Sequence, residues 1–94
     1  MHAADGFVAM RDIHPQADTH LLVIPERHVE TFREVAAFDP AQAHAMLRFV
    51  AQTARDAGLD DYRVVVNVGR GGGQTVFHLH WHVLGGRPMS EELA

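Results

Sequence analysis

Residues 77 to 83, FHLHWHV within the longer run TVFHLHWHVLG, alternate strictly: Phe77, Leu79, Trp81 and Val83 interleave with His78, His80 and His82. A two-residue period belongs to an extended strand with one buried face, because successive side chains on a strand leave opposite faces. The chain must therefore build a sheet and place something apolar over the Phe77, Leu79, Trp81 and Val83 side. The three imidazoles are then gathered on the other side.

The cover is found upstream. FDPAQAHAMLRFVAQTARDAG carries helix signals at both ends: Asp39 as N-cap, Pro40 at the first helical position, Gln42 as the reciprocal partner of a capping box, and Gly58 as terminator. Ala43, Met46, Leu47, Val50, Ala51 and Ala54 fall at helical spacing and form one apolar stripe. Three more β-rich runs accompany the alternating one: GFVAMRDI (6 to 13), closed by the turn-like HPQAD; THLLVIP (19 to 25), ended by Pro25; and YRVVVNVG (62 to 69). The first two read as a hairpin. The last run is joined to the alternating run by the glycine-laden RGGGQ, so those two should be antiparallel neighbours. That pairing brings Asn67 beside the histidines. Without repeat or linker, residues 1 to 94 read as a single α+β domain, an antiparallel sheet with one long helix across a face, followed by a polar tail over 90 to 94.

Composition narrows the partners. A formal charge of -4 with scattered basic residues opposes nucleic-acid binding, which needs clustered Lys and Arg. With no cysteine, any metal would be held by His, Asp or Glu. No export signal or membrane-length apolar stretch is present, so the expected location is the cytoplasm, with no membrane partner. A chain of 94 residues hides only roughly 60 to 65% of its unfolded surface on folding, which favours a partner subunit.

Three readings compete for the histidines. They are a solvated polar face, or a metal site completed by His20 or Asp12, or nucleophiles acting at phosphorus. A neutral imidazole, of unperturbed pKa about 6.5, has a bare nitrogen that attacks without prior deprotonation. A neighbouring imidazole can protonate the leaving group. Gly71, Gly72 and Gly73 would let backbone N–H groups approach phosphoryl oxygens, although a flexible hairpin tip has the same composition.

HLHWHVL, with GGQTVF before it and GGRPM after it, resembles the motif of the histidine triad superfamily, Hint branch. RDIHPQADTHLLVIPERHV and YRVVVNVG are also similar, so the resemblance runs from about Asp5 to Met89. It implies a nucleoside phosphoramidase that cleaves phosphoramidates or related adenylates of purine nucleotides through a covalent nucleotidyl-histidine, without a cofactor or metal. By that resemblance His80 is the nucleophile, His82 contacts the phosphate and assists the leaving group, His78 orients His80, and His20 joins the network. Asp12 binds the ribose hydroxyls with Ile13 beside it; Asn67, Gly73, Gln74 and Thr75 surround the phosphate; Met10 and Leu22 line the base pocket. His2, His14, His28 and His44 match nothing catalytic and are expected at the surface. The family forms homodimers. Relatives carry an additional N-terminal segment and a Trp-Pro-Pro-Gly tail; here the former is expected to be missing, and SEELA replaces the latter. The competing expectations are a nucleotide-binding module without turnover and a His-based metal protein.

Overall fold

The computed structural model describes residues 2–86. Five strands, β1 (His2–Ala4), β2 (Phe7–Arg11), β3 (Thr19–Pro25), β4 (Tyr62–Val66) and β5 (Trp81–Gly85), form one antiparallel sheet in the order β1-β2-β3-β5-β4. One long helix, α1 (Pro40–Asp56), covers a face, which gives the expected α+β architecture. The tail over 90 to 94 and the flank residues Arg87 to Met89 lie outside the described residues.

β1 was not anticipated. Its hairpin to β2 turns on Asp5 and Gly6, both at positive φ (56° and 87°), the two-residue turn that an Asp-Gly pair favours. β2 and β3 pair as a hairpin, Phe7 opposite Pro25 through Arg11 opposite Leu21. β5 lies between β3 and β4, pairing antiparallel with both, so the two runs flanking the glycine segment are neighbours as expected.

β5 is shorter than its sequence pattern. The alternation begins at Phe77, but ladder pairing starts only at Trp81; ahead of it the Leu79 N–H donates to the Val29 carbonyl, outside any strand. Burial still alternates, with Leu79, Trp81 and Val83 in the core and Phe77 half-buried.

The helix starts as expected, the Asp39 carboxylate accepting from the Gln42 N–H at 2.8 Å. The reciprocal half of the capping box is replaced: with its amide oxygen facing Arg27, the Gln42 side chain meets that guanidinium at 2.7 and 3.0 Å. The buried stripe is Met46, Phe49, Val50, Thr53 and Ala54, which differs from expectation at Leu47 (56% exposed), at exposed Ala51 and at half-buried Ala43. A rotation that buries the large Phe49 ring in place of Ala51 removes more apolar surface from water. Phe49 packs on Phe7 and under the His2 ring. Thr53 enters the core with its hydroxyl donating to the Phe49 carbonyl, which satisfies it. A 3-10 helix over Phe32–Ala37, capped by Thr31 and Glu34, closes the end of the core near Trp81.

Candidate active site

The strand register assembles the site on the sheet face away from α1. Met10, Leu22, His82 and Val65 form one row across β2, β3, β5 and β4. The next row holds Asp12, whose N–H donates to the His20 carbonyl, then His20, Leu84 and Arg63. His20 and His82 are thus diagonal neighbours on adjacent strands, close enough for direct contact. Continuing the register one residue past the ladder sets Asn67 across from His80.

Each ring has one nitrogen whose role is forced by its partner. Nδ1 of His80 lies 2.8 Å from the His78 carbonyl, which can only accept, so Nδ1 carries the proton and Nε2 is bare. Nε2 of His78 donates to the Pro25 carbonyl at 2.8 Å. The Gln16 N–H donates to Nδ1 of His20 at 3.0 Å, so the neutral His20 ring is protonated at Nε2. That Nε2 lies 2.9 Å from Nδ1 of His82 and 3.3 Å from the Asp12 carboxylate. His82 accepts at Nδ1 and therefore holds its own proton at Nε2. The His80 and His82 rings meet edge to face at 5.1 Å.

Burial favours the neutral form of both inner rings. Burial lowers the His20 pKa, with the Asp12 carboxylate opposing. Burial also lowers that of His82, reinforced by repulsion from the His80 and His20 imidazoles and opposed by Asp12.

The metal reading meets a specific obstacle. Ligand atoms of Asp12, His20 and His82 lie within 4.8 Å of one another, the one such cluster among the described residues. A metal-bound histidine donates its second ring N–H to an acceptor. Nδ1 of His20 instead faces the Gln16 N–H donor, so coordination at Nε2 would leave either an imidazolate or two opposed N–H groups. The donor set fits proton handling better than zinc.

The remaining expected residues divide between the site and its scaffold. Met10 and Leu22 are half-buried beside His82, and Ile13 is 85% exposed on the loop after β2. The Asp12 carboxylate also accepts from the His14 N–H at 2.8 Å. Thr75 is exposed. Asn67 and Gln74 turn inward: Asn67 donates to the Gly72 carbonyl at 2.9 Å, while the Gln74 side chain accepts from the Gly69 N–H and donates to the Glu30 and Val76 carbonyls. The amides of Gly72, Gly73 and Gln74 donate to the Arg70 and Gly69 carbonyls. Those three N–H groups are engaged within the loop, so of the expected cradle the Gly72 and Gly73 amides are already spoken for. Gly73 supplies a left-handed turn (φ 90°), a conformation that strains any residue with a Cβ.

Two participants had no signal of their own in the sequence. His28, expected as a surface residue, is exposed yet packs edge-on against His78 at 5.3 Å. Gln16 contributes through its main chain, which no side-chain pattern reveals; its only trace is its place in the turn-like HPQAD.

Comparison with known proteins places the fold. The profile of the HIT domain family matches residues 2–89. Purine nucleoside phosphoramidase of Escherichia coli (strain K12) is 42% identical over 92 residues, covering 96% of this chain and 77% of that protein. The crystal structure of a HIT family hydrolase from Legionella pneumophila Philadelphia 1 superposes with a TM-score of 0.87 at 42% identity, covering 97% of this chain and 83% of the other. A HIT family hydrolase from Clostridium thermocellum gives 0.86 at 33% identity, covering 99% and 83%.

Proposed function

The chain belongs to the HIT domain family, and from that premise we propose that it is a hydrolase that cleaves nucleoside phosphoramidates or related adenylates at the α-phosphorus. The observation that carries the reading is the pair of outward nitrogens of opposite character on adjoining rings: bare Nε2 on His80, protonated Nε2 on His82. One is a nucleophile that needs no prior deprotonation; the other donates a hydrogen bond toward the phosphoryl group and becomes an acid when the pair binds an extra proton.

In the proposed reaction Nε2 of His80 attacks the α-phosphorus and forms a P–N bond. The bond to the leaving amine breaks as its nitrogen takes up a proton from the His20–His82 pair in its singly charged form, which carries one extra proton and returns to neutral. The positive charge on nucleotidyl-His80 is met at Nδ1–H by the His78 carbonyl. Water then attacks phosphorus, returns its proton to the pair, and releases the nucleoside monophosphate with His80 restored. The Asp12 carboxylate keeps lone pairs for the ribose hydroxyls, Met10 and Leu22 supply an apolar floor for a purine, and Thr75 offers its hydroxyl to the phosphate. Asn67, Gly73 and Gln74 act by shaping the loop. No cofactor is required by these steps.

A homodimer suits this surface. β4 is an edge strand with Tyr62 and Val64 exposed, and Leu47 of α1 is exposed as well. Apolar side chains beside an unpaired edge are a template for a second copy. No helix among the described residues is long and apolar enough to cross a membrane.

The test is release of amine and adenosine monophosphate from an adenosine phosphoramidate, with and without EDTA. Turnover by the wild type in both conditions, and none by a folded His80→Gly variant, is expected. Equal turnover by the variant removes the nucleophile; loss with EDTA and return with zinc favours the metal reading; binding of nucleotide without turnover leaves a binding module.

A further inference from the structure

The loop between β2 and β3 is folded on itself. The Asp12 carboxylate accepts from the His14 N–H at 2.8 Å, and the Gln16 side chain donates to the His14 carbonyl at 3.2 Å. This local bonding turns the Gln16 main-chain N–H onto Nδ1 of His20 at 3.0 Å. We infer that this backbone amide is a positioning group that locks the His20–His82 pair in one tautomer and so makes neutral His82 the outward hydrogen-bond donor of the site.

The argument is steric and electrostatic. An N–H facing an imidazole nitrogen admits only the bare form of that nitrogen. With Nδ1 bare, the one proton of neutral His20 is at Nε2, 2.9 Å from Nδ1 of His82, which must then be bare too. A second proton is opposed at both inner nitrogens: at Nδ1 of His20 it would face the Gln16 N–H, and at Nδ1 of His82 it would face the His20 N–H. Buried like-facing donors are costly because neither finds a partner. The charged and titratable groups facing the pair are Asp12 after β2, His80 ahead of β5, and Arg63 on the same face of β4. Arg11 and Asp18 line the cavity of about 440 Å³ that also borders Asp12 and His20. Asp12 pulls toward the charged form, so the Gln16 amide and the Asp12 carboxylate act in opposition on one pair of rings.

Gln16→Pro removes the donor, while Gln16→Ala keeps it and removes only the side chain. Long-range ¹H–¹⁵N correlation of the imidazoles in labelled, substrate-free protein reads the tautomers directly. Wild type and Gln16→Ala should show His20 protonated at Nε2 alone. In Gln16→Pro the preference should fall roughly five- to tenfold, the weight of one hydrogen bond, and the pair should take up its extra proton at higher pH. A His20 ring protonated at Nδ1 in the wild type overturns the inference, and so does a Gln16→Pro variant with unchanged tautomer and titration. Should Gln16→Pro not fold, the wild-type spectrum decides alone. The kinetic arm rests on the phosphoramidase reading: the limb of the kcat/KM profile that belongs to the pair should move to higher pH in Gln16→Pro only. Tautomers that shift in a protein without turnover would uphold the lock and dismiss the hydrolase.

Discussion

Gln74 separates a structural from a substrate-binding reading of the glycine loop. Its residue is 3% exposed, and its amide makes three hydrogen bonds, from the Gly69 N–H at 2.9 Å and to the Glu30 and Val76 carbonyls at 2.8 and 3.0 Å. It thereby ties the segment after β4 to residue 30 and to the run that leads to His78. Gln74→Ala would strand the Gly69 N–H, a buried donor, at a cost of about 1–3 kcal/mol. The two carbonyls are nearer solvent and can be rehydrated, so their loss adds about 1 kcal/mol together. A total of about 2–4 kcal/mol corresponds to a fall in melting temperature on the order of 10–20 °C for a domain of this size. Thermal unfolding followed by circular dichroism measures it, with KM determined below the transition. The staple reading requires a large drop in stability; a variant that melts with the wild type but has a raised KM would show that the amide serves the substrate instead.

Acid should weaken the fold through His20 and His82. Both pKa values are lowered in the folded state, by burial first, so the unfolded chain binds protons more readily as pH falls. Their contribution is fully present above about pH 6.5 and is lost as pH falls from there toward the lowered folded values. Urea midpoints across that range should fall in the wild type and change less in His20→Asn and His82→Asn; a midpoint that rises on acidification contradicts the assignment. At the β4 edge, Val64→Glu should weaken self-association by roughly thirtyfold or more, the effect of charging a central apolar contact. Sedimentation at micromolar concentrations reads this, and a wild type that is monomeric there removes the dimer.

The alternation of residues 77 to 83 survives in the structure even though only Trp81–Gly85 pairs as a strand, because burial follows the extended backbone and not the ladder. The helix was legible from Asp39 and Pro40, whose effects are local. Its rotation was not: Leu47 and Phe49 are both apolar, and the choice between them depends on His2 and Phe7, which arrive from a distant hairpin. The Asp5–Gly6 turn was readable in principle, since the pair carries its own conformational preference.

The site divides along the same line. His78, His80 and His82 can be picked out by residue type and spacing, and His20 and Asp12 by the family resemblance, but neither signal tells the chemistry of the four imidazoles apart. What distinguishes them is the group bonded to one ring nitrogen: the His78 carbonyl for His80, the Pro25 carbonyl for His78, the Gln16 amide for His20, and His20 itself for His82. Three of those four partners are main-chain atoms, which every residue carries and no motif records. A carbonyl partner forces a proton onto the near nitrogen and bares the far one, whereas an amide partner does the reverse. His80 and His82 therefore present opposite nitrogens to the same space. On the proposed mechanism, exchanging the partners with every histidine kept would exchange nucleophile and donor.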